Sequence, residues 1–389
     1  MAEGSRNNVG EAMHYTLHLT NDCNMACRYC YVDHDNVMYM DIETAKKAVD
    51  IAAEGSSSPT GIIFFGGEPL LCKDVIYETI EYCRWKEAHS DCMFYYKVTT
   101  NGLLLDEGFM EMSMKENIFI ALSHDGVEES HNLHRLDAGG KGTFEALTGK
   151  IDMLLSKRPY APVLMVVNPD TAGYYSDSVE YLYGKGFRYI ICSMNYAANW
   201  TEEDMDILKK QYEKLSRFYF ERTLKEEKFY LSPFEVKISS HINGDTYHHE
   251  RCELGRKQIS VAPDGSLFPC VQFVGDKTYR IGHIDTGIDR RRQMELFNLN
   301  EEEKDTCTDC AVRNRCNHYC GCMNRQATGS IGRVSPVQCA HERLLLPIAD
   351  KLAERLFRKK SGLFIQKHYN EMFPLLSLIE DKTSDNKKQ

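Results

Sequence analysis

Short apolar runs alternate with longer amphipathic ones over the first two hundred residues. HYTLHLT (14–20), GIIFFGG (61–67), FYYKVTTNG (94–102), NIFIALSHDG (117–126), PVLMVVN (162–168) and FRYIICSMN (187–195) read as strands. They are brief, rich in β-branched and aromatic residues, and bounded by turn formers. Between them, residues 41–54, 73–89, 106–116, 143–157 and 176–185 have the pattern of amphipathic helices, with Asp41 as N-cap of the first. Six strand–helix steps predict a parallel sheet with outer helices, because parallel strands need crossover connections. The fold class is α/β, a partial (β/α)6 TIM-type barrel. In such a barrel, chemistry gathers at the C-terminal ends of the strands.

The pattern changes near residue 200. Residues 201–229 are polar, charged and helical, a bridge. Residues 232–340 are rich in Cys, Gly, His and Arg and have few periodic segments. A region without a large apolar core usually takes its stability from metals. ISVAPDGSLFPCVQF reads as a hairpin turning at Asp264-Gly265. Residues 342–358 return to helix, and the last ten residues read as a disordered tail. The division is 13–200 for the barrel, 201–233 for the bridge, 234–342 for a small loop-rich domain, and 343–389 for the C-terminal helix and tail.

Length and charge narrow the function. The 389 residues are too many for one small core. A net charge of −10 argues against nucleic acid, whose phosphates are bound by Lys and Arg. No run of 18 apolar residues exists, so no membrane span is expected. The start, MAEGSRNNVGEAMHYTLHL, is no signal peptide, which predicts a cytoplasmic chain. In a reducing compartment the 15 cysteines point to metal binding rather than disulfides. Three lie within 23–30 and eight within 252–339. Cys72, Cys83, Cys92 and Cys192 are scattered and read as small buried apolar residues.

Cys23, Cys27 and Cys30 follow the first strand. Such closely spaced thiolates suit an iron–sulfur cluster or zinc, the latter completed by His14, His18 or His34. Three ligands on a four-iron cluster leave one iron free. The run resembles the signature of the radical S-adenosylmethionine (SAM) superfamily, CxxxCxΦC, with Tyr29 as the aromatic Φ. The resemblance implies that the free iron chelates the amino and carboxylate groups of SAM. It also implies that Tyr29 packs near the adenine and that Tyr31 contacts the base through its backbone. Gly66-Gly67-Glu68-Pro69 resembles the family's GGEP motif, which holds the SAM amino group. The glycines let the backbone approach a ligand, and a carboxylate suits an ammonium. Asn101 and Ser123 resemble positions near the methionine and ribose. Arg135, in HNLHR, matches the arginine that pairs with the SAM carboxylate. The plainer alternatives are an Asn-Gly turn at 101 and a solvated surface arginine at 135.

The later cysteines run Cys252-x12-Gly265-x4-Cys270, then Cys307-x2-Cys310-x5-Cys316-x3-Cys320, then Cys339. This resembles the SPASM domain, the auxiliary-cluster module of radical SAM peptide-modifying enzymes. Zinc knuckles are the alternative. The resemblance implies two auxiliary 4Fe–4S clusters, one on Cys252, Cys270 and Cys320, the other on Cys307, Cys310, Cys316 and Cys339. Some relatives have an eighth cysteine between the first two, which is missing here. An open iron site is therefore expected, with Cys322, His248 or His249 as other candidates to close it.

Three 4Fe–4S clusters and SAM imply a 5′-deoxyadenosyl radical that takes hydrogen from a peptide carbon. An open auxiliary iron would bind a peptide thiolate beside that carbon. The expected activity is therefore thioether crosslinking of a ribosomally made, Cys-containing precursor peptide, as in sactipeptide and ranthipeptide maturases. Anaerobic sulfatase-maturing enzymes are the main alternative. They carry an Asp just after the cysteine matching Cys270, where this chain has Val271 and Gln272, and Asp276 stands six residues away. Carbon–carbon or ether crosslinking and a zinc-binding adaptor are the remaining alternatives. A flavodoxin or ferredoxin-type electron donor is implied. About 12 residues precede the first strand, so any leader recognition is expected from a separate protein or from another surface. The basic run IDRRRQ (288–293) is either a leader contact or a solvated surface.

Overall fold

A computed structural model describes residues 13–54, 59–244 and 253–377. Cys252, His248, His249 and the expected C-terminal tail lie outside the described residues. Strands β1 (His14–Thr20), β2 (Thr60–Gly66), β3 (Phe94–Thr100), β4 (Ile118–Ser123), β5 (Pro162–Val167) and β6 (Tyr189–Met194) pair in sequence order. Every one of these pairings is parallel. Helices α1 (Ile42–Ala53), α2 (Lys73–His89), α3 (Glu107–Lys115), α4 (Glu128–His134), α5 (Phe144–Lys157) and α6 (Tyr175–Lys185) make the crossovers. Leu17, Ile62, Phe64, Val98, Leu122 and Val163 are wholly buried and form the core. Asp41 caps α1 as expected, accepting from the Thr44 N–H at 2.7 Å. The short helix α4 is an addition to the expected elements. Its sequence, EESHNLH, has no apolar period to announce it.

The sheet continues past both ends of the expected barrel. β7 (Tyr230–Leu231) adds to β6 in parallel. On the other side β8 (Gln258–Val261) pairs in parallel with β1 over four residues, His14 to Leu17. β9 (Ser266–Phe268) returns antiparallel on β8, and Gly265 takes a left-handed φ of 82° in the connecting turn. β10 (Gly282–His283) and β11 (Gly287–Ile288) follow. The described strands thus run β11-β10-β9-β8-β1-β2-β3-β4-β5-β6-β7. The cysteine-rich region, which the residue pattern presents as a separate unit, shares its sheet with the barrel.

The bridge is α7 (Glu202–Leu224), followed by α8 (Ser232–Asn243). Later come α9 (Arg290–Glu301), α10 (Gly321–Thr328), α11 (Pro336–Arg358) and α12 (Gly362–Tyr369). α11 begins six residues before the expected start at 342, with Pro336 in its first turn, where a missing N–H costs nothing. A buried ion pair joins α8 to α11, with Lys237 Nζ 2.6 Å from Glu342 Oε2. Among the described residues, no helix is long and apolar enough to cross a membrane.

Candidate functional site

The loop after β1 carries Cys23, Cys27 and Cys30 across the C-terminal mouth of the barrel. It is pinned on two sides. The Ala26 and Arg28 N–H groups donate to the carbonyls of Leu136 and His134 at 2.8 and 3.0 Å. The Gly67 and Glu68 N–H groups donate to the carbonyls of Thr20 and Asp22 at 2.8 and 2.9 Å. The two glycines are needed for this contact. A Cβ on Gly66 would stand 2.2 Å from the Thr20 carbonyl oxygen, and one on Gly67 2.0 Å from that of Asp22. The backbone they admit is the cysteine loop's own, a closer constraint than the approach of a ligand.

Glu68 is held from within the protein. Its carboxylate does not lie open to receive an ammonium but is fully buried and committed to the protein. Oε1 accepts from the Leu70 N–H at 3.0 Å and the Thr100 hydroxyl at 2.7 Å, and Oε2 from the Asn101 N–H at 2.8 Å. Burial pushes its pKa up to about 7, against the opposing pull of these donors. Pro69 follows in a single 3-10 turn, Pro69–Cys72, for which Glu68 is the cap. Asn101 is likewise more than a turn residue. Its side-chain amide donates to Asn24 Oδ1 at 2.8 Å and to Cys23 Sγ at 3.6 Å. Glu68, Asn101 and Cys23 thus form a chain of contacts from the end of β2 through the end of β3 to the first cysteine.

Arg135 is no surface residue; it is 6% exposed. In this structure its partner is Asp125, itself buried just beyond β4. Nε lies 2.9 Å from Asp125 Oδ2 and Nη2 3.1 Å from Oδ1. The Tyr29 hydroxyl donates to the same carboxylate at 2.6 Å, and the Arg135 guanidinium lies 5.5 Å from the Tyr29 ring centre. The Val166 N–H adds a further bond to Asp125 at 3.0 Å. Asp125 was not singled out from the sequence; its signal is its position at a strand end, HDG after β4. Ser123 closes β4, partly exposed.

The three loop cysteines feel one another's charge, and burial pushes the Cys23 thiol up to about 12. Of the three histidines considered as zinc ligands, His34 reaches the loop, with Nε2 3.5 Å from Cys30 Sγ. His14 and His18 pack against Tyr95 and Phe65. Among the described residues, no three His, Cys, Asp or Glu side chains converge on the position of a single ion. Beside the loop opens a cavity of about 340 Å³ lined by Tyr29, His134, Asn168, Asp170 and Asn195, among others. Asn168 and Asn195 stand directly after β5 and β6, where the barrel rule places chemistry. Asn168 Nδ2 and His134 Nδ1 are buried without a protein hydrogen-bond partner.

The later cysteines fall into two groups. Cys307, Cys310, Cys316 and Cys339 lie within electrostatic reach of one another, beside the Lys237–Glu342 pair. Cys270, at the end of the hairpin, meets Cys320 and Cys322 instead. The Sγ atoms of Cys320 and Cys322 are 3.2 Å apart, and Cys322 also contacts Cys270. The phenol of Tyr31, whose side chain is otherwise well exposed, lies within reach of Cys30 on one side and of Cys270 and Cys322 on the other. The four scattered cysteines are as expected: Cys72, Cys83 and Cys92 are buried, and Cys192 packs against the core. The basic run at 288–293 begins α9, where Arg290 and Arg292 bond to Gln293, Glu295 and the Thr278 carbonyl, a solvated helix start.

Residues 17–182 match the family model of the Radical SAM superfamily. An uncharacterized protein of Methanocaldococcus jannaschii is 32% identical over 177 residues, 46% of this chain. The chain spans 60% of that protein, less than two thirds of its length. A cysteine-type anaerobic sulfatase-maturating enzyme of Clostridium perfringens is 25% identical over 296 residues, covering 72% of this chain and 79% of the relative. The solved structure of native anSMEcpe with bound AdoMet and the Cp18Cys peptide superposes with a TM-score of 0.75. It covers 88% of this chain and 99% of that one at 21% identity, a likeness of fold.

Proposed function

From the premise that this chain carries a radical SAM domain over residues 17–182, we propose that it is a maturase that takes hydrogen from a carbon of a peptide and closes a Cys thioether there. The likeness to a sulfatase maturase and to a neighbour solved with a peptide supports a peptide or protein substrate. Residues 13–200 would form the catalytic core, 201–233 the bridge, 234–342 the SPASM auxiliary-cluster domain and 343–389 the C-terminal helix and tail.

The residues at the barrel mouth fit a 4Fe–4S cluster and SAM. Three partly exposed thiols share one loop, that loop is clamped by Gly66 and Gly67, and a cavity opens beside it. Cys23, Cys27 and Cys30 would hold the cluster; Tyr29, Tyr31, the Gly66–Pro69 turn, Asn101, Ser123 and Arg135 would surround SAM. When bound, these groups supply a 5′-deoxyadenosyl radical, and auxiliary clusters supply an acceptor for the electron left on the substrate. The protein's share is placement. Asn101 fixes Cys23, Asp125 fixes Arg135 and Tyr29, and Tyr31 faces both the first loop and the Cys270 group.

The choice against formylglycine formation rests on Asp276. Its carboxylate caps the turn at 277–279, accepting from the Thr278 N–H at 3.0 Å and hydroxyl at 2.6 Å, and it pairs with Arg325 Nη2 at 2.5 Å. Partial burial pushes its pKa up, but these donors outweigh it and hold the value below the usual range. A carboxylate so held is a poor general base. Anaerobic turnover of a Cys-containing precursor peptide, followed by mass spectrometry, is the test. Loss of two hydrogens together with a cysteine that no longer alkylates is expected. A peptide aldehyde would overturn the proposal.

A further inference from the structure

We propose that Cys322 is an iron ligand, forming with Cys270 and Cys320 three of the thiolates of the first auxiliary cluster. This rests on the auxiliary-cluster assignment above and departs from the open iron that the seven-cysteine spacing implies.

Three observations carry it. The three sulfurs meet although Cys270 lies 50 residues before Cys320 in the chain: Cys322 Sγ stands 3.2 Å from Cys320 Sγ and also contacts Cys270. Two chain segments converge there, the end of the β8–β9 hairpin and the start of α10. Next, the Cys-Gly-Cys segment cannot slip. Cys320 is the N-cap of α10, and a Cβ on Gly321 would stand 2.4 Å from Asn300 Oδ1. Asn300 is itself bonded to the Tyr319 carbonyl at 3.0 Å. The two cysteines stand together at the helix start, their sulfurs 3.2 Å apart. Finally, the surroundings differ from those of the scattered cysteines. Cys322 packs against the apolar core as Cys192 does, but it also has two thiols and the Tyr31 phenol about it.

A four-iron cluster takes each cysteine on its own iron, so the sulfurs must separate beyond even the ~3.8 Å edge of a single tetrahedral zinc–thiolate site with ~2.3 Å bonds. They must spread to take any metal, and the partial exposure of Cys320 and Cys322 leaves room for that. With Cys322 on iron, the position that could have held a substrate thiolate is filled. The peptide sulfur would then reach the activated carbon without a bond to iron.

The test uses the full chain carrying C23A, C27A and C30A, so that auxiliary iron alone remains, with and without C322A. Both are loaded anaerobically and followed by iron analysis, Mössbauer spectroscopy and EPR, before and after adding imidazole. The parent should hold about eight irons and ignore imidazole. C322A should show one distinct iron whose signal shifts with imidazole, or should lose an iron from one cluster. Retention of the four-iron signal from the Cys307 group shows that the variant is folded. Identical spectra with and without Cys322, or a parent that responds to imidazole, would overturn the assignment of Cys322 alone. A parent without iron would instead overturn the auxiliary-cluster reading on which it rests.

Discussion

Glu68 Oε2 accepts the backbone N–H of Asn101 at 2.8 Å, and through Asn101 the carboxylate governs where Cys23 stands. Its folded pKa of about 7 lies above the ordinary 4.5, so the folded chain holds a proton that the unfolded chain has lost. Over that window Glu68 makes stability fall as pH rises. E68Q removes this dependence and sets its amide against the Asn101 N–H, a mismatch worth about 1–3 kcal/mol. Melting temperatures across the window should decline with pH more steeply in wild type than in E68Q. The variant should also cleave SAM more slowly. Parallel melting curves would contradict the role.

Asp125 and Arg135 are each nearly inaccessible and face each other through two contacts. Removing either charge leaves the other buried and alone. D125N and R135Q should each cost about 3–5 kcal/mol. The double variant should cost less than the sum, since the second change removes the stranded charge. Denaturant unfolding of the four proteins checks this, and strict additivity would show that the pair is not coupled.

Cys27 lies in the first loop, across from Arg135 and Asp125 and away from the later cysteines. C27A should abolish 5′-deoxyadenosine formation and lower the iron content from about 12 to about eight per chain, sparing the two auxiliary clusters. Iron analysis and chromatography of the nucleoside test this together. Retained SAM cleavage would remove Cys27 from the first cluster.

Asp276 gives the sharpest division between the two candidate reactions. Paired with Arg325 and only partly buried, it should contribute no more than about 1 kcal/mol. D276N should leave the rate of peptide modification nearly unchanged. A catalytic base at this position would instead show a loss of about 10²–10⁴-fold.

The barrel strands were legible in the residue pattern because each is a short apolar run that both pairs and packs. β1 and β2 hold fully buried residues along most of their length. α4 was not legible, because its buried residues are Ser130, His131 and His134, held by polar contacts rather than by an apolar stripe. The cysteine spacing gave the resemblance to a radical SAM domain that the family match bears out. The partners were hidden. That Glu68 faces Thr100 and Asn101, or that Arg135 faces Asp125, depends on loops meeting across the mouth of the barrel. Asn168 and Asn195 were within reach of the strand-end rule and were passed over because a lone asparagine carries no motif.

The pairing of β8 with β1 has a consequence for how such a chain can vary. The hairpin bearing Cys270 hangs on the strand that delivers Cys23, joined by backbone register from His14 to Leu17. The separation of the two cysteine groups is therefore measured across a sheet, and the sixty or so residues between β6 and β8 do not set it. Additions or losses in that connection would lengthen or shorten the route along the chain while leaving the gap between the two groups unchanged. A one-residue slip of β8 against β1 would move Cys270 by a whole strand step, about 3.3 Å, and turn its neighbours to the opposite face.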